Sequence, residues 1–73
     1  MSEERPFDFL NENVKKPVLV RLKGKKELRG NLRAFDVHMN IVLEQAEELE
    51  DGKLVNKIGS MLVRGDNIVF ISP

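Results

Sequence analysis

From Pro17 onward the apolar residues recur with a period of two, and this alternation constrains the chain more than any other feature. Val18, Val20 and Leu22 alternate with Leu19, Arg21 and Lys23, which describes a half-buried strand. Gly24-Lys25-Lys26 is a tight polar turn. Glu27 to Phe35 forms a second strand, with Leu28, Gly30, Leu32 and Ala34 on one face and Arg29, Asn31 and Arg33 on the other. Gly30 in mid-strand predicts a sharp bend or a close backbone approach. After the turn region 35–40, Met39, Ile41 and Leu43 resume the alternation in a third strand that runs towards Ala46. Residues 47–53 read as an acidic hairpin connection, with Asp51-Gly52 as its turn signal. Leu54 to Val63 is a fourth strand, Arg64-Gly65-Asp66-Asn67 a second clear turn, and Ile68 to Ile71 a short, wholly apolar fifth strand.

The period is different before Pro17. Residues 1–5 read as a flexible tail. Pro6 suits a helix start, Asp8 and Glu12 lie early in the element, and Phe7, Leu10 and Val14 fall at three- and four-residue spacing. This predicts one short amphipathic helix over about 6–15, stopped by Pro17, whose ring disfavours helix at Lys16. The sum is an all-β fold with one short N-terminal helix, built as a single domain over 6–73 with no linker or repeat.

Short connections imply antiparallel neighbours, and five bent strands can curl into a small, partly open barrel. Such a barrel has two edges, and here the last strand is apolar on both faces. An exposed apolar edge is an aggregation hazard unless something covers it, and the complementary edge of another copy is the economical cover. Repeated head-to-tail pairing closes into a ring when the rotation permits. The length points the same way, because a chain of 73 residues buries only about 60–65% of its unfolded surface and gains from oligomerisation.

The chain has no cysteine, which rules out a disulfide scaffold and a thiolate metal site and suits a reducing, cytoplasmic setting. No apolar run approaches the roughly 18–20 residues of a membrane span, and the acidic start does not read as a signal peptide. The formal net charge is zero, but it is a sum of unlike blocks. Residues 15–33 carry eight Lys or Arg against Glu27, a net +7, whereas residues 44–51 carry five acidic side chains, a net −5. These blocks are either two solvated surfaces, or a basic surface offered to phosphates with an acidic one turned away.

Two polar clusters sit at turns. In Asp36-Val37-His38-Met39-Asn40, the side chains of His38 and Asn40 can face the same way on extended backbone. An imidazole can stack on a base and an Asn amide can read a base edge, while Asp36 and Asn40 can equally well tie down turn backbone. In Arg64-Gly65-Asp66-Asn67, the guanidinium can stack on a base or grip a phosphate, Gly65 allows an unusual dihedral or leaves room for a ligand, and Asp66 can orient Arg64. Catalysis finds little support. The one histidine has no serine in a nucleophile-elbow context near it, and neither a metal signature nor a phosphate-cradling glycine loop is present. No enzyme activity, cofactor or metal is therefore expected.

The stretch from Pro17 to Glu48 resembles the first signature of the Sm and Sm-like (LSm) proteins, through Leu22-Lys23-Gly24, Leu28-Arg29-Gly30, Phe35-Asp36-Val37-His38-Met39-Asn40 and Leu43-Glu44-Gln45-Ala46-Glu47. Val63-Arg64-Gly65-Asp66-Asn67-Ile68-Val69-Phe70-Ile71 resembles the second. The order and compact spacing of the two, with a single short intervening loop, are most like the archaeal Sm-like proteins. The resemblance implies a helix stacked on a strongly bent, five-stranded antiparallel, SH3-like open barrel. It implies a ring, a homoheptamer in most archaeal members, in which the fourth strand of one subunit pairs with the fifth of the next. It also implies binding of single-stranded uridine-rich RNA around the pore, in RNA processing or as a ribonucleoprotein (snRNP-type) core.

Carried onto this chain, His38 and Arg64 would sandwich a uracil ring and Asn40 would hydrogen-bond its edge, with Asp66 near Asn40 and Arg64 in the pocket. Asp36, Gly65 and Asn67 would support the two loops. The alternative function is a protein-interaction scaffold ring, with other RNA-processing proteins as partners and RNA binding secondary. Neither reading calls for a membrane.

Overall fold

The computed structural model describes residues 5–73. Of the expected N-terminal tail, residues 1–4 lie outside the described residues. Helix α1 spans Pro6–Asn13, with proline at its first turn as its sequence predicts. The Asp8 carboxylate reaches back to accept the Arg5 backbone N–H at 3.1 Å, which satisfies one of the donors at the helix start. The helix ends two residues before the predicted Lys15. Lys15 is already in the left-handed region (φ 69°), and its N–H is donated to the Leu32 carbonyl at 2.6 Å instead of continuing the helix.

Five strands follow: β1 (Pro17–Leu22), β2 (Glu27–Phe35), β3 (Ile41–Glu50), β4 (Lys53–Val63) and β5 (Ile68–Ser72), with a 3-10 turn over Gly65–Asn67. They form one antiparallel sheet in the order β4-β3-β2-β1-β5. Residues expected to form the acidic connection at 47–50 are instead the second half of β3, and only the turn at Asp51-Gly52 lies outside a strand.

The sheet is bent along a line that crosses three strands. On β2, a methyl group added at Gly30 would sit 3.0 Å from the Glu44 carbonyl and 3.1 Å from the Ala46 Cα, so only glycine lets β3 come this close. On β3, Gln45 adopts a left-handed backbone (φ 53°) where the register of both neighbouring strands shifts. On β4, Gly59 (φ 91°) pairs with Ala46. The bulge changes the phase of β3: Ile41 and Leu43 are buried, and then Ala46 and Leu49. A second register shift lies between Leu32 and Ala34, and Ala34 is exposed, not on the core face that strict alternation assigns it.

The core gathers the inward residues of this curled sheet, among them Val20, Leu32, Ile41 and Leu43, under the cap of Leu10 from α1. Asn13 is the one buried polar side chain of the described residues, and its amide donates to the Phe9 carbonyl at 2.8 Å. The terminal strands of the sheet, β4 and β5, have no partner on their outer sides within the chain. Both edges carry exposed large apolar side chains: Leu54, Val55, Ile58 and Leu62 on β4, Val69 and Phe70 on β5. No helix of the described residues is long and apolar enough to cross a membrane.

The two charge blocks are not on opposite surfaces. Strands β2 and β3 are hydrogen-bonded neighbours, and their register sets Arg29 opposite Glu47. The two side chains form an ion pair at 2.9 Å, and within the basic block Arg21 pairs with Glu27 at 2.8 Å. The acidic residues of β3 thus neutralise part of β2 directly, rather than facing away from it.

Candidate nucleic-acid interface

The chain between β2 and β3 is a five-residue loop organised by one carboxylate. Asp36 Oδ1 accepts the backbone N–H of His38 at 2.9 Å and that of Asn40 at 3.1 Å. Its Oδ2 accepts the Asn40 side-chain amide at 3.1 Å. Two backbone hydrogen bonds, Asp36 N–H to the Asn40 carbonyl and Met39 N–H to the Asp36 carbonyl, close the turn. The left-handed Met39 (φ 64°) reverses its direction. The amide of Asn40 holds the Asp36 carboxyl below the usual aspartate range against an opposing desolvation effect, helped by the N–H groups of Asn40 and His38 and by the imidazole. Asp36 thus accepts three hydrogen bonds from within its own turn.

Asn40 also joins this loop to the second one. Its Oδ1 accepts the Gly65 N–H at 2.7 Å, across 25 residues of sequence. Because Asp36 demands a donor and Gly65 demands an acceptor, the orientation of the amide is fixed by its surroundings. Gly65 is required for this approach. A methyl group there would collide with the His38 carbonyl oxygen and stand 2.8 Å from the Met39 carbonyl carbon. The compact second loop expected of Gly65 is thus a contact between loops as well as a local turn.

The remaining predicted residues surround this junction. His38 and Arg64 are exposed, one in each of the two loops it joins. Asp66 stands beside Arg64, with 3.8 Å between carboxylate and guanidinium and both side chains about 70% exposed (71% and 69%). Among the described residues Asp66 makes no hydrogen bond to Asn40, whose partners are Asp36 and Gly65. Asn67 supports the turn through its backbone: its N–H closes the 3-10 turn on the Arg64 carbonyl at 3.0 Å, and its carbonyl accepts the Lys23 N–H at 2.9 Å. Sequence reasoning left Lys23 out of the site, although it immediately precedes a glycine turn. Nothing local could show that this turn meets residue 67. Among the described residues no group of three or more His, Asp or Glu is placed to hold a metal ion.

After Asp36 and Gly65 have used it, the Asn40 amide still has one N–H and one oxygen lone pair free. One imidazole, one guanidinium and one donor–acceptor pair, grouped around a rigid backbone junction, form a suitable surface for a flat heterocycle.

A family model described as the LSM domain matches residues 8–73. A snRNP Sm-like protein of Methanococcoides burtonii is 56% identical over 69 residues, 94% of this chain and 96% of its own. Among solved structures, the Sm protein of Pyrococcus abyssii in complex with a uridine heptamer superposes with a TM-score of 0.93 at 46% identity, covering 96% of this chain and 99% of that one. A heptameric archaeal Sm protein superposes with a TM-score of 0.83 at 51% identity, covering 89% and 94% respectively.

Proposed function

The chain belongs to the LSM-domain family, and on that premise we propose that it is a non-catalytic RNA-binding protein, a ring of seven identical subunits that takes single-stranded uridine-rich RNA at the junction of its two polar loops. The Asn40 bridge carries this reading. It fixes the two loops together at 2.7 Å and leaves one donor and one acceptor for a uracil edge. His38 and Arg64, exposed in the two loops that the bridge joins, supply the stacking faces. Asp36, Gly65 and Asn67 hold the loops in place, and Asp66 keeps the guanidinium near the pocket.

Ring formation follows from the free edges. The apolar, unpartnered β4 of one copy meets the apolar, unpartnered β5 of the next, which covers both hazards and repeats the pocket around a pore. Two relatives support the assignment: one is a heptamer, and another is a complex with a uridine heptamer. The exposed apolar residues on β4 and β5 are thereby used between subunits, which favours RNA over a scaffold role as the main activity. The same reading places the protein in the cytoplasm, as a core component of RNA processing or ribonucleoprotein assembly.

Fluorescence anisotropy with labelled oligo-U tests the pocket. Each base stack is worth about 1–3 kcal/mol, and neighbouring pockets reinforce one another. His38→Ala and Arg64→Ala are each expected to weaken binding at least tenfold, by about 1.4 kcal/mol or more, while native mass spectrometry still shows the ring. Undiminished binding in both variants would remove the pocket assignment.

A further inference from the structure

We propose that the β1–β2 turn is a second RNA contact, a phosphate-binding patch formed by Lys23, Lys25 and Lys26 that takes the backbone of the strand flanking the bound uridines. The inference rests on the pocket reading above and extends it to a different part of the RNA. Its first support is position. The Lys23 N–H is donated to the Asn67 carbonyl at 2.9 Å, and Asn67 closes the 3-10 turn that begins after Arg64. The backbone of the lysine turn therefore meets the chain three residues after Arg64, about 6 Å along the rise of a 3-10 helix. A strand that has its base at Arg64 meets this turn next, on that side of the junction.

The second support is charge. Lys23, Lys25 and Lys26 are all exposed, and none forms an ion pair with a described carboxylate. Two neighbouring basic residues, Arg21 and Arg29, are instead tied to Glu27 and Glu47. The third is conformation. Gly24 (φ 84°) and Lys25 (φ 68°) are both left-handed, as a tight hairpin turn of this kind demands. Glycine or asparagine satisfies that geometry at low cost, whereas lysine does not, and what the chain gains at position 25 is a third positive charge at the tip of the turn.

The opposing carboxylates belong to the same device. Glu50 and Asp51, at the β3–β4 turn, line one shallow depression with Gly24, Lys25 and Lys26. Their charge lowers the positive potential of the turn and weakens its attraction for any single anion. A single monovalent anion gains little there, while a strand already held at the pocket brings its phosphates in at high effective concentration.

The experiment compares a uridine heptamer with the same heptamer carrying a ten-cytidine extension at each end, at several salt concentrations. In the variant Lys25→Asn/Lys26→Gln, asparagine preserves the left-handed position while two of the charges are lost and Lys23, whose backbone holds Asn67, is untouched. The extended RNA is expected to bind about fivefold more weakly to it, with the slope of log K against log salt reduced by about 1.4, two charges at roughly 0.7 each. Binding of the heptamer itself is expected to stay within about twofold. The reverse variant, Glu50→Gln/Asp51→Asn, is expected to bind the extended RNA about threefold more tightly. Equal loss on both RNAs, or an unchanged salt slope on the extended one, overturns the proposal. Failure of the wild-type protein to bind the heptamer is a separate result, which overturns the pocket reading and this extension with it.

Discussion

The two loops that meet at the candidate site are built in opposite ways. The 36–40 loop is organised largely from within: one carboxylate accepts three hydrogen bonds from residues two and four positions on. The 64–67 turn has little of its own. Its side chains are exposed, its one ion pair is long, and its position is set by the N–H that Gly65 donates to Asn40 and the carbonyl that Asn67 offers to Lys23. One loop is a template and the other is docked on it. A pocket can thus be accurate although half of it is intrinsically loose, provided that the docking bond is short and partly buried.

Substitutions can break this division of labour at graded cost. Gly65→Ala strikes the docking directly, since its methyl group has no space against His38 and Met39. It is expected to destabilise the fold by about 1–3 kcal/mol in chemical denaturation and to abolish oligo-U binding, because the second loop must move away from the first. Asn40→Ala leaves space but removes the acceptor for a partly buried N–H and the main donor to Asp36. A loss of about 1–2 kcal/mol is expected.

The Asn40 variant also has a pH signature. The Asp36 carboxyl is held below its usual range in the folded protein, chiefly by Asn40, so its stabilising effect is present above the ordinary aspartate pKa and fades as pH falls through the lower folded value. Carboxyl chemical shifts followed through an acid titration should show the Asp36 midpoint moving up towards the ordinary value in Asn40→Ala. If it does not move, Asn40 is not what organises the template loop. The smallest effect is expected at Asp66→Asn. Two exposed groups 3.8 Å apart contribute little, and a change in stability larger than about 0.5 kcal/mol would show that the docked turn has more structure of its own than this comparison allows.

The parts of this arrangement that were legible in the sequence are those whose signals are local. Period-two alternation marked β1 and β2 closely, the segments between turn signals marked β4 and the wholly apolar β5, and Asp51-Gly52 and Arg64-Gly65-Asp66-Asn67 marked their turns. Gly30 announced the bend because a missing side chain in mid-strand is visible without the fold. Gln45 announced nothing. A left-handed glutamine carries no composition signal, so the bulge that rephases β3 and the length of that strand were hidden, as was the exposure of Ala34.

Register was equally out of reach. It decides that Arg29 meets Glu47, and so that the two charge blocks neutralise one another in part instead of separating. The candidate site was legible as a set of residues through its resemblance to a family. Its internal logic was not. Asn40 was expected at a base edge, and that it also bridges the loops depends on a contact spanning 25 residues.

The unlike free edges of the sheet have a consequence for mixtures. Each subunit offers one β4 edge and one β5 edge, so a copy damaged at only one of them still docks through the other. In a closed ring every junction is needed, and a single such copy leaves a gap that its intact neighbours cannot fill. The proportion of sound rings then falls as the fraction of sound subunits raised to the ring number, so that a minor population of faulty chains poisons most of the assemblies. In the proposed ring the demand on the side chains of β4 and β5 is accordingly collective, and steeper than any one chain's own folding would require.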